Sequence, residues 1–169
     1  MRRTEYLSFR RAFEPDVVSL VIIAESPPAS GKYFYNPEGS TKEPLFAALM
    51  QQLGFLPTSK EEGLREFQRR GWVLVDATYE PVNTEGVDRD AVIVRDYPLL
   101  RDDLSALLPD RSAPVVLVKA NVCRLLDEKL TRDGFNVINH GAVAPFPSTG
   151  NQKKFHTQFG EILKIVGQF

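Results

Sequence analysis

Apolar runs of strand length alternate along this chain with stretches in which apolar residues recur at helical spacing. The run Val17-Val18-Ser19-Leu20-Val21-Ile22-Ile23 predicts a strand buried on both faces. Ser40-Thr41-Lys42-Glu43 carries a capping-box pattern, and Phe46, Leu49, Met50 and Leu53 follow at i, i+3, i+4 and i+7 before Gly54, which predicts a helix. Ser59-Lys60-Glu61-Glu62 repeats the pattern ahead of Leu64 and Phe67, and Gly71 ends that helix before a second strand, Trp72-Val73-Leu74-Val75. Pro98 opens a further helix carrying Leu100, Leu104, Leu107 and Leu108, and Pro109 closes it. The third strand, Val115-Val116-Leu117-Val118, leads through Lys119 to a helix with Val122, Leu125, Leu126 and Leu130, ended by Gly134. Phe135-Asn136-Val137-Ile138 reads as a short fourth strand, and a last helix from near Asn151 aligns Phe155, Phe159, Ile162 and Val166. From Thr78 to Asp96 no period holds, and Asp, Glu, Pro and Gly accumulate; a mobile loop is expected there.

Strands separated by helices call for parallel pairing, because parallel neighbours need crossover connections. The expected architecture is α/β: a three-layer α/β/α sandwich around a central four-stranded parallel sheet, with one domain spanning 1–169. In such a sheet the loops leaving the carboxyl ends of the strands share one edge. That edge would collect Glu25, Ser26, Asp76, Lys119 and the loop from Asn139 to Gly150. The aromatics of Tyr33-Phe34-Tyr35-Asn36-Pro37 stand nearby, so a pocket for something flat is expected.

Composition narrows the setting. The formal charge of -1 excludes the overall basicity of a histone-like binder and leaves room for local basic faces, at Arg2, Arg3, Arg10 and Arg11 and at Arg65, Arg69 and Arg70. The only cysteine, Cys123, forms no intramolecular disulfide and no thiolate metal site, which fits a reducing compartment. No apolar run reaches the ~20 residues of a membrane helix, and Met1-Arg2-Arg3-Thr4-Glu5 has no signal-like apolar core, so a soluble cytoplasmic protein is expected; a monomer is the default expectation for the single domain. His140 and His156 have no ligand spacing to each other, and neither metal nor cofactor is expected. His140 is read as a strand-end histidine satisfied by its loop, with a swing towards the pocket as the alternative.

Three short motifs, in order, resemble the uracil-DNA glycosylase superfamily. Ala24-Glu25-Ser26-Pro27-Pro28 is similar to the family's water-activating motif, with Phe34 at the position of the phenylalanine on which a flipped base stacks. Val73-Leu74-Val75-Asp76 is similar to the apolar run that ends in the base-reading residue. Ala144-Pro145-Phe146-Pro147-Ser148-Thr149 resembles the loop that enters the minor groove, and Lys154-Phe155 the junction with the final helix. The resemblance implies a base-excision glycosylase acting on duplex or single-stranded DNA. Three positions depart from the family pattern: Ser26 replaces an Asp, Asn or Ala, Asp76 an asparagine, and Phe146 a histidine. The iron-sulfur branch needs four thiolates, which one cysteine cannot supply.

Residue chemistry gives each position a role beside a blander alternative. Phe34 supplies a stacking face, with Asn36 as a further substrate contact; alternatively the aromatic run only covers the sheet edge. An ionised Asp76 accepts from an exocyclic amino group and a protonated one donates to a carbonyl, whereas a structural aspartate caps its turn. Glu25 with Ser26 is the candidate for placing water and stabilising an oxocarbenium-like state; alternatively Glu25 ties down backbone amides. Phe146 suits a wedge among unstacked bases, flanked by Pro147, Ser148 and Thr149. Lys153 and Lys154 suit phosphates, and Lys119 is read as a solvated lysine at a helix end. The leading expectation is a glycosylase that removes a damaged or deaminated base. The alternatives are a catalytically inactive module of the same fold that binds a base, nucleotide or single strand, and a hydrolase of free nucleosides.

Overall fold

In the computed structural model, residues 1–167 are described. They form, in order, α1 (Arg3–Arg11), β1 (Leu20–Ala24), α2 (Pro44–Leu53), α3 (Lys60–Arg69), β2 (Trp72–Asp76), α4 (Arg89–Leu107), β3 (Pro114–Leu117), α5 (Ala120–Arg132), β4 (Asn136–Val137) and α6 (Gln152–Ile165). The strands pair in the order β2-β1-β3-β4, all parallel, with Ala24 opposite Asp76 and Ile23 opposite Leu117. This is the expected three-layer α/β/α sandwich.

Side-chain alternation divides the strands between two cores. Leu20, Ile22, Trp72, Leu74 and Val116 face the layer of α1, α2, α3 and α6, where Phe46, Phe67, Phe155 and Phe159 make the packing aromatic. Val21, Ile23, Val73, Val75, Val115 and Leu117 face α4 and α5, where the filling is aliphatic apart from Tyr97 and Phe135. Both faces of β1 and β2 are buried, which is why those strands read as continuous apolar runs.

Three elements differ from the sequence expectation. Helix α1 carries no long apolar stripe, because Arg10 occupies a core position beside Tyr6 and Leu7. Pro98 lies inside α4 rather than opening it, and the helix starts at Arg89 behind the Asp88 side chain, which accepts from the Ala91 amide at 3.1 Å. The expected loop from Thr78 to Asp96 therefore ends early, and Ile93, Tyr97, Leu100 and Leu104 form the buried stripe. Glu43 is the last residue before α2, so its side chain, accepting from the Ser40 amide at 2.8 Å, closes a turn ahead of the helix.

Among the described residues no helix is long and apolar enough to cross a membrane.

Candidate functional site

Backbone pairing continues one residue beyond the strands and fixes the position of the residues at their carboxyl ends. The Ala77 amide donates to the Ala24 carbonyl at 2.8 Å, that of Val118 to Ile23 at 2.9 Å, and that of Lys119 to Ala144 at 2.7 Å. Glu25, Asp76 and Lys119, at the carboxyl ends of β1, β2 and β3, consequently line one cavity of about 310 Å3. Ser26, Tyr33, Phe34, Phe46 and Phe146 line it too.

On the β1–β3 side both oxygens of the Glu25 carboxylate are matched, whereas the buried Asn121 Oδ1 has no partner among the described residues. Glu25 is 9% exposed, and its Oε1 accepts from Lys119 Nζ at 2.7 Å while its Oε2 accepts from Asn121 Nδ2 at 2.6 Å. The Arg89 guanidinium lies 3.5 Å from Oε1. Lys119 holds φ at 87° and ψ at 141°, a left-handed conformation that suits glycine and costs a residue with a Cβ about 1–3 kcal/mol. The Ser26 hydroxyl accepts from the Val82 amide at 3.3 Å and donates to the Pro27 carbonyl at 3.2 Å, so it fastens loop to loop.

On the β2 side two buried polar atoms lack partners. Asp76 is 4% exposed and Tyr33 1%, and neither Asp76 Oδ2 nor the Tyr33 hydroxyl has a hydrogen-bond partner among the described residues. Burial pushes the Asp76 carboxyl up to about 8 against the pull of the Arg10 charge, which favours the protonated form, with a proton to donate, at neutral pH. Burial also raises the Tyr33 phenol, helped by Tyr79 and Asp76.

These groups are braced from behind. Arg10, 2% exposed, spans Asp103 with two bonds of 2.7 Å and donates to the Tyr79 hydroxyl at 2.8 Å. Lys60, 1% exposed, donates to the Tyr33 carbonyl at 2.6 Å and to Glu43 at 2.8 Å.

Phe34 combines both readings made of it: its ring packs 4.9 Å from Tyr35 and 5.2 Å from Phe67, and it also forms a wall of the cavity. Phe46, another wall, is held by the close approach of α3, where Gly63 has no room for a Cβ.

The remaining expected residues lie apart. Asn36 is outside the cavity lining, on an adjoining depression, and its side chain accepts from the Glu38 amide at 3.1 Å within a turn. Phe146 is half-exposed at the cavity, whereas Pro147 is buried, Ser148 and Thr149 are exposed in the same loop, and Lys153 and Lys154 are exposed on the first turn of α6. His140 pairs with Asp127 at 2.6 Å beside a separate depression that includes Cys123. The expected basic faces are also reduced. Arg10 is buried, Arg69 and Arg70 share Glu66, and Arg65 lies over the Phe13 ring at 4.5 Å.

Lys119, set aside in the sequence as a solvated lysine, is the main omission, together with Arg89, Asn121 and the Tyr33 hydroxyl. The sequence places Lys119 on the same sheet edge as Glu25 and Asp76, just past the third strand, and what it does not reveal is the contact with Glu25.

Among the described residues no cluster of His, Cys, Asp and Glu is arranged to hold a metal. No protein-family model matches the chain, and no curated protein matches it.

Proposed function

We propose that this chain takes a base flipped out of DNA into the cavity and hydrolyses its N-glycosidic bond. One observation carries the reading: an aromatic wall, a buried carboxyl with an unpartnered oxygen and an ion-paired carboxylate line a single cavity of about 310 Å3. An extruded base must be held by stacking and read along its polar edge, and Phe34 and Asp76 offer these two functions. A protonated Asp76 both donates and accepts, which suits a base edge carrying a carbonyl. Glu25 faces the sugar, stabilises the oxocarbenium-like state and directs water to C1′. Phe146 fills the gap left by the base, and Lys153 and Lys154 meet phosphates. The motif resemblance to the uracil-DNA glycosylase superfamily supports the same reading. In it the protein works in the cytoplasm as a monomer without a cofactor.

A second reading, a module that binds a base without cleaving it, is favoured by one specific fact. Both Glu25 oxygens are already engaged, by Lys119 and Asn121. Single- and double-stranded oligonucleotides carrying a panel of deaminated and oxidised bases separate the two. The glycosylase reading expects alkali-labile abasic sites, formed about 10²-fold or more slowly by Glu25→Gln. Retention of the same oligonucleotides without base release would leave the binding module, and neither release nor retention would remove both.

A further inference from the structure

We infer that Lys119 contacts the leaving base and offsets the negative charge that builds on it as the glycosidic bond breaks. The inference rests on the glycosylase reading and adds a residue to it. Three observations carry it. Lys119 lines the cavity and its side chain is 31% exposed, so it can reach a ligand there. Its backbone is held at φ 87°, where a glycine would sit without strain, so the side chain is what the position gains from the unfavourable conformation. Glu25 also keeps Asn121 at 2.6 Å and Arg89 at 3.5 Å, so its charge stays matched when Lys119 turns to a base.

The chemistry needs such a group. In the cleavage step the electron pair of the C1′–N bond passes to the base, leaving a cation at C1′ and an anion on the heterocycle. Water adds to C1′ through oxygen, and its proton passes to Glu25 and then to the base anion. An ammonium–carboxylate pair in one cavity matches both charges of this separated state, the carboxylate beside the sugar and the ammonium beside the base. Phe146, on the loop that borders the same cavity, has no polar atom in its side chain, and His140 is committed to Asp127.

The test uses the full chain with Lys119→Met, Lys119→Gly and Lys119→Arg on two pairs of probes. These are oligonucleotides carrying uracil or 5-fluorouracil, and thymine or 5-bromouracil; the second of each pair is the more acidic leaving group. Lys119→Met is expected to slow release of the poorer leaving group about 10²-fold and of the better one markedly less. Lys119→Arg should recover part of the loss. Lys119→Gly should match Lys119→Met in release yet melt at a higher temperature, because the glycine relieves the backbone; this separates lost chemistry from a damaged fold. Equal slowing on both members of each pair, or no slowing, overturns the inference while leaving the glycosylase reading intact. A wild-type chain that releases none of the four bases and none of the wider panel of deaminated and oxidised bases overturns both.

Discussion

On the β1–β3 side of the cavity both oxygens of the Glu25 carboxylate are hydrogen-bonded, whereas on the β2 side Asp76 and Tyr33 each bury a polar atom without a partner. The first arrangement keeps a charge in place and ready, which suits stabilising charge that develops during a reaction. The second leaves hydrogen-bonding capacity unused, at about 1–3 kcal/mol for each buried group, and suits recognition because a ligand can supply the missing partners. Each side thus stores its free energy differently. Near Glu25 it resides in the strained backbone of Lys119 together with one unmade bond at Asn121 Oδ1, and near Asp76 in two unmade hydrogen bonds without backbone strain.

The largest expected effect concerns the brace behind the β2 side. Arg10→Met would leave Asp103, whose side chain is 11% exposed, without its bidentate partner and Tyr79 with only the longer bond from the Asp76 amide at 3.4 Å. Removing one partner of such a pair costs about 3–5 kcal/mol, and urea unfolding should show a loss of that size. A loss below about 1 kcal/mol would mean that the β2 side is held by the aromatic packing alone, of Tyr6 on Tyr33 at 4.8 Å.

How much of this arrangement the sequence reveals depends on what each residue packs against. The aliphatic face was legible because Val21, Ile23, Val115 and Leu117 belong to uninterrupted apolar runs, and such runs predict strands buried on both sides. Helix α1 was not legible, since its inward position at Arg10 counts as polar until Asp103, some ninety residues on, is known to meet it. Pro98 misled in the opposite direction. A proline usually marks a first turn, yet Tyr97 and Leu100 on either side of it complete a stripe that begins at Ile93. Within the site, Glu25, Asp76 and Phe34 could be placed from strand ends and a nearby aromatic run. Lys119 could not be ranked, because the sequence contains neither its backbone angle nor its distance to Glu25.

A change at Asp76 is next in size and varies with pH. Its carboxyl titrates at about 8 in the fold against an ordinary 3.8, so between these values the folded chain holds a proton that the unfolded chain has released. This contribution to stability is complete below about pH 4, declines as pH rises towards 8, and is lost above it, with a slope of at most about 1.4 kcal/mol per pH unit. Asp76→Asn has no such proton, so its stability relative to wild type should increase from pH 5 to pH 8 in urea titrations. A constant difference would show a carboxylate already ionised in the fold. Asp76 would then only accept, and the two sides of the cavity would no longer differ in charge state.

The smallest expected effect is the sharpest test of the unmade bonds. Tyr33→Phe keeps the ring against Tyr6 and Tyr35 and removes only a hydroxyl that is buried without a partner. Deleting an ordinary hydrogen-bonded hydroxyl costs about 1 kcal/mol; deleting an unsatisfied one should instead stabilise the free protein by a similar amount. Base-containing oligonucleotides should bind the variant more weakly, by about tenfold if the hydroxyl makes one good bond to the ligand. Thermal melting and a binding titration on the same preparation read the two signs together. A higher melting temperature with weaker binding means that Tyr33 holds its donor for a guest. A lower melting temperature means that the hydroxyl serves the fold, and recognition on the β2 side would then fall to Asp76 alone.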